Sequence, residues 1–176
     1  MSKRFRYKGQ TIKLDFSEKW KVLVKDYFHS RFNVDPTFWE PYKIFNRGDE
    51  LWVASFSLVP QDIRIVKAGL RLLRVKGNPK PTTVALQWLN RHISKNIVYT
   101  DIETLSKLLN GAIIHVSSFP ETTTDGEKGY VALAFQDLIV GCGHISSGGM
   151  IKSQIPAGKA RELKEILVRL SGKDQP

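Results

Sequence analysis

Tyr130-Val131-Ala132-Leu133-Ala134-Phe135-Gln136-Asp137-Leu138-Ile139-Val140-Gly141-Cys142 reads as two apolar runs joined by a polar pair. Each run has strand length and is rich in apolar and β-branched residues. Gln136-Asp137 is short enough for a hairpin turn. The pattern predicts strands over Tyr130–Phe135 and Leu138–Cys142. Around it lie other short strand candidates: Leu70–Val75, Ile97–Tyr99, Ala112–Val116 and Met150–Ile155. Only short helices separate them. Regular strand–helix alternation, which a doubly wound parallel sheet requires, is missing. The expected architecture is a small barrel-like sheet with helical insertions.

The helices have local signals. Asp101 can cap one whose Ile102, Leu105, Leu108 and Leu109 face inward, with Gly111 as its left-handed stop. Another follows the proline turn Gly77-Asn78-Pro79-Lys80-Pro81 from about Thr82 to His92, with Val84, Ala85, Trp88 and Leu89 as its inner face. Pro156 suits the first turn of a last helix carrying Ala160, Leu163, Ile166, Leu167 and Leu170. Pro120 to Lys128 is polar and threonine-rich and predicts a loop.

The front of the chain follows another plan. Thr11–Leu14 is a short extended piece, and Ser17 can cap a helix to about Arg31 with Trp20, Leu23, Val24, Tyr27 and Phe28 on one stripe. Asp35-Pro36 opens a short second helix through Trp39. Tyr42–Phe45 and Leu51–Phe56 are strand candidates joined by Asn46-Arg47-Gly48-Asp49. Val59-Pro60-Gln61 is the expected boundary. The fold class is thus α+β, with a small N-terminal α/β unit over residues 1–62 and a β pseudo-barrel with short helices over 63–176.

Charge indicates the kind of partner. The net charge is +10, and it is unevenly spread. Residues 1–62 hold 11 Lys and Arg against 8 Asp and Glu, residues 63–118 hold 9 against 2, and residues 119–176 hold 7 against 7. No carboxylate lies between Asp62 and Asp101, where Arg64, Lys67, Arg71, Arg74, Lys76, Lys80, Arg91 and Lys95 all occur. A merely solvated face mixes signs. A single-sign stretch suits a polyanion, and nucleic acid is the commonest one inside cells. Lys76 and Lys80 flank the proline turn and should be exposed. Arg71 and Arg74 have opposite parity, so both reach solvent only at a bulge, an edge or a frayed end.

Chemistry is poorly supported. Gly141-Cys142-Gly143 lacks the following helix that a phosphate-binding glycine loop needs, so it reads as a strand where a close approach excludes side chains. Cys142, the lone cysteine, reads as a small buried hydrophobe, with His144 two residues on as its only candidate base. The histidines His29, His92, His115 and His144 lack metal-site spacing, although His115 and His144 are candidates to pair across strands. No catalytic residue, metal or cofactor is assigned. No apolar run approaches the roughly 20 residues that span a bilayer, and the basic N-terminus lacks a signal-peptide core, so a cytoplasmic location without membrane partners is expected.

Four segments within about residues 63–160 together carry a resemblance. The run Leu70-Arg71-Leu72-Leu73-Arg74-Val75-Lys76-Gly77-Asn78-Pro79-Lys80-Pro81-Thr82, the strands Val131-Ala132-Leu133 and Leu138-Ile139-Val140-Gly141-Cys142-Gly143, and Gly149-Met150-Ile151-Lys152-Ser153-Gln154-Ile155-Pro156 are similar to the PUA-like domain of RNA cytosine-5 methyltransferases of the NOL1/NOP2/Sun group. The front unit, with Phe38-Trp39-Glu40-Pro41-Tyr42, resembles the small domain preceding the PUA unit there and in Nip7-like ribosome-assembly factors. The methyltransferase's S-adenosylmethionine site and its Pro-Cys and Thr-Cys motifs do not occur. The resemblance therefore implies a non-enzymatic protein that binds structured tRNA or rRNA, in RNA modification or ribosome biogenesis, alone or beside a modification or assembly protein. Arg71, Arg74, Lys76, Lys80 and Lys152 are the expected RNA-binding residues, converging on one face. The alternative is a protein-interaction subunit whose basic surface meets an acidic partner.

Overall fold

A computed structural model describes residues 2–7, 10–55 and 69–172. Val59-Pro60-Gln61, Arg64 and Lys67 lie outside the described residues. The fold is α+β and divides into two compact units, residues 1–85 and 86–176.

The first unit is a six-stranded antiparallel meander, β1 (Ser2–Tyr7), β2 (Gln10–Asp15), β3 (Lys43–Arg47), β4 (Glu50–Ala54), β5 (Leu70–Arg74) and β6 (Lys80–Pro81), with strands in sequence order. Helix α1 (Glu18–Phe32) sits between β2 and β3 in sequence and packs on β3. Its start is organised by Asp15 rather than by the expected Ser17 hydroxyl. The Asp15 carboxylate accepts from the Ser17 amide at 3.0 Å and from the Trp20 indole N–H at 2.9 Å, and Ser17 makes no side-chain cap bond. These bonds hold the Asp15 carboxyl below the ordinary carboxylate range, the Trp20 bond contributing most. Asn33 ends the helix in the left-handed region at φ 55°. Asp35 then caps the 3-10 turn Pro36–Trp39 through the Thr37 amide at 2.8 Å. The buried side chains Val24, Phe28, Phe32 and Trp39 join Ile44, Leu51, Val53, Leu72 and Leu73 in the core set.

The strand Leu70–Arg74 therefore belongs to a different unit from the one expected. It is hydrogen-bonded to β4 (Val53↔Leu70, Glu50↔Arg74), and β6 continues the same sheet (Arg74↔Lys80). The compact units divide at Ala85/Leu86 rather than at 62/63 because strand pairing outweighs the shift in composition.

The second unit holds a curled half-barrel sheet. Its strands are β7 (Ile97–Thr100), β8 (Ile113–His115), β9 (Glu121–Thr122), β10 (Gly129–Phe135), β11 (Leu138–Ile145) and β12 (Met150–Ser153), in the order β8-β12-β11-β10-β7-β9. Only β7 and β10 run parallel. The expected hairpin is present, turning at Gln136-Asp137 with Gln136 at φ 53°. One sheet face packs on α3 (Ile102–Leu109) and α4 (Ala157–Ser171) through Leu105, Leu108, Leu133, Ile145, Ile151 and Leu167. Asp101 caps α3 by accepting from the Thr104 amide at 2.7 Å. The helix after the proline turn, α2, spans Thr83–Trp88 and buries Ala85 and Leu86, with Leu89 buried just past its end, while Val84, expected inside, is 46% exposed. The expected loop from Pro120 contains β9, which pairs with β7.

Candidate nucleic-acid interface

Register fixes one face of the first sheet. Phe45 lies opposite Trp52, and Trp52 opposite Arg71. One row further, Arg47, Glu50, Arg74 and Lys80 follow one another across β3, β4, β5 and β6. Side chains directly opposite share a face, so this face carries Arg47, Arg71, Arg74 and Lys80 around Glu50, with Phe45 and Trp52 beside them. The opposite face carries the buried Ile44, Leu51 and Val53.

A bulge makes this possible. Between Leu51 and Trp52 the pairing skips Leu72, so β5 holds one residue more than its partner. Its burial then runs Arg71 exposed, Leu72 and Leu73 buried, Arg74 exposed. Of the ways out of the parity conflict, the strand uses the bulge. Gly69, just before it at φ +76°, has no alternative: a Cβ there would lie 2.2 Å from the Val53 carbonyl oxygen.

The charges are differently tethered. Arg71 donates to Glu50 at 2.5 Å. With side chains 44% and 26% exposed, this pair is screened and adds about 0–1 kcal/mol. Its main effect is to hold the guanidinium in place while other N–H donors stay available. Arg47 lies over the Trp52 ring, 5.9 Å from its centroid. Arg74 and Lys76 are exposed and make no ion pair among the described residues. Lys76 sits in the β5–β6 loop beside Gly77 at φ +74°. Lys80 is half-buried on β6. Beside Arg71 a cavity of about 410 Å³ is lined by Trp52, Gly69, Leu70, Arg71, Thr82 and Val84.

Of the five expected RNA-binding residues, Arg71, Arg74 and Lys80 share this face, and Lys76 sits in the loop joining its last two strands. Lys152 belongs to the second unit, on β12 opposite His144 and Ile113. It is exposed there, near the edge-to-face contact of His144 with Tyr130. Arg47, Glu50 and Trp52 were not singled out from the sequence. The turn motif at Asn46–Asp49 hid the fact that Arg47 is still a strand residue.

Unit 1, residues 1–85, has 17 Lys and Arg against 8 Asp and Glu, a net of +9, while unit 2 has 10 against 9, a net of +1. The second unit's cavity of about 680 Å³ has the wrong sign for phosphate, since Asp101, Glu103, Glu121 and Asp137 line it. The Thr104 amide holds the Asp101 carboxyl below its ordinary value, which keeps that group charged.

No protein-family model matches this chain, and no curated protein does. Cys142 is 1% exposed. Gly141 is held to glycine because a Cβ would meet Ile155 Cγ1 at 2.3 Å, the close approach its strand position suggested. His115 and His144 do not pair, because β12 lies between their strands; His115 Nδ1 instead meets the Ser117 hydroxyl at 2.8 Å. Among the described residues no three His, Cys, Asp or Glu side chains gather as metal ligands, and no helix is long and apolar enough to cross a membrane.

Proposed function

We propose that this chain is a non-catalytic RNA-binding protein whose first sheet supplies the phosphate contacts. The observation that carries the reading is the face of Arg47, Arg71, Arg74 and Lys80, with Lys76 in the adjoining loop and Glu50 as the carboxylate in its row, on a unit of net charge +9. Side chains of this kind contact phosphates and fix register without reading sequence. The curled sheet of the second unit, with α3 and α4 on one face, holds the later segments that carry the PUA-like resemblance, while the run Leu70–Thr82 belongs to the first sheet. On that reading the RNA is structured tRNA or rRNA, the setting is RNA modification or ribosome assembly in the cytoplasm, and Lys152 is an additional contact from the second unit.

The test is a pull-down of the full chain from cell lysate with and without ribonuclease, with sequencing of RNA crosslinked to it. Enrichment of tRNA or rRNA, and loss of co-purifying proteins after ribonuclease, is the expected result. A partner set unchanged by ribonuclease, with no enriched RNA, would replace this reading with that of an acidic protein partner.

A further inference from the structure

The cavity beside Arg71 carries the RNA reading one step further. It opens among the side chains of the basic face, and its walls are of two kinds. Trp52 and Val84 are apolar, Leu70 borders the cavity from a strand position whose partner, Val53, lies on the other face, and Arg71 brings a guanidinium already oriented by Glu50. Thr82 is committed to the fold: its hydroxyl donates to the Arg71 carbonyl at 2.5 Å and accepts from the Ala85 amide at 3.0 Å. Beyond Thr82, the side-chain polar groups of the lining residues are the Arg71 guanidinium and the Trp52 indole N–H, which is buried without a hydrogen-bond partner. Its volume of about 410 Å³ lies within the ~300–1,000 Å³ of small-molecule sites. A duplex offers such a cavity only phosphates, because its bases are stacked inside. An unpaired nucleotide offers a flat apolar base and an attached anion together, which matches an apolar cavity with one fixed guanidinium. An acidic peptide of charged residues alone would satisfy Arg71 and leave the Trp52 and Val84 walls without a partner.

We propose that this cavity takes one unpaired nucleobase of the bound RNA, lodged between Trp52 and Val84, with a neighbouring phosphate on Arg71. The inference rests on the RNA-binding reading. It makes the protein a reader of splayed or single-stranded nucleotides within a structured RNA, rather than of helix shape alone. Trp52 is only 8% exposed, so the gain falls at the low end of base–aromatic stacking, about 5- to 10-fold in affinity per base.

The full chain is titrated by fluorescence anisotropy with a labelled 12-nucleotide single-stranded RNA of mixed sequence, and with an abasic strand of the same length and charge. The parent should prefer the intact strand by about 5- to 10-fold. Val84→Trp fills the cavity from a position already 46% exposed on α2, and Val84→Phe does so with less bulk; a thermal melt selects whichever is folded. The filled variant should bind both strands alike. Equal, salt-dependent binding of both strands by the parent would overturn the base pocket and leave RNA binding standing. A folded, filled variant that keeps the parent's preference would overturn it too. Binding to neither strand nor to any structured RNA would remove both readings.

Discussion

Removing Arg74 and Lys76 together should change how RNA affinity depends on salt by an amount that can be worked out beforehand. Both side chains are exposed and neither makes an ion pair among the described residues. Arg74→Gln with Lys76→Gln keeps much of each stem and should cost little stability, within about 0.5 kcal/mol per site. Each phosphate contact releases counterions and contributes ~0.9 to the slope of log affinity against log salt, so the pair contributes ~1.8. Over a fourfold rise from about 50 to 200 mM salt, that is ~1.1 decades. The parent should lose about 12-fold more affinity than the variant across this window, and the variant should already be the weaker binder at 50 mM. Glu50→Gln gives the opposite sign. It removes the carboxylate from the row Arg47–Glu50–Arg74–Lys80 and releases Arg71, so affinity at low salt should rise. Anisotropy titrations at four salt concentrations measure both. A folded Arg74→Gln, Lys76→Gln variant with the parent's slope would refute the assignment of this face.

Three further outcomes follow from the geometry. Gly141→Ala drives a methyl into Ile155, with Cγ1 at 2.3 Å and Cδ1 at 2.5 Å; it should cost ~1–3 kcal/mol in urea unfolding, much of it recovered by adding Ile155→Ala, and strict additivity of the two would count against the clash. Asp15→Asn removes a carboxylate whose pKa is lowered by the Trp20 and Ser17 bonds. That contribution is present above the unfolded pKa and fades as pH falls through the folded one, so the variant should melt lower at neutral pH and approach the parent below about pH 4; Tm curves that stay parallel down to acid would exclude the linkage. A fragment starting at residue 63 lacks β4, the partner of β5, and should expose Leu72 and Leu73, both fully buried in the whole chain; a sharp melt without dye-detectable apolar surface would show that β5 does not need it.

Signals confined to a few neighbouring residues could be read before the structure was known. Asp101 and Gly111 bound α3, Asp35-Pro36 opens its short turn, and Gln136-Asp137 joins its two strands, because each signal acts over two to ten residues. Pairing partners at long range were not readable. Leu70–Arg74 looks like the start of a second domain by composition, yet its hydrogen bonds go to β4, beyond residues 56–68. Strand β1 was missed because Lys3-Arg4-Phe5-Arg6 has strand pairing without strand-like composition. Of the candidate site, the run of cations was visible and its arrangement was not. Arg47 joins the face only through the hairpin register, and no periodicity in Leu70–Arg74 announces an extra residue at Leu72.

That extra residue separates two things an aligned sequence would merge. A chain lacking Leu72 would read Leu-Arg-Leu-Arg, a plain alternation with both arginines still on one side. Its cost would be a buried leucine, about 2–5 kcal/mol by analogy with leucine truncation, and not a charge. A one-residue gap at this point in a related sequence would therefore mark a difference in robustness, with the surface offered to a polyanion kept in kind.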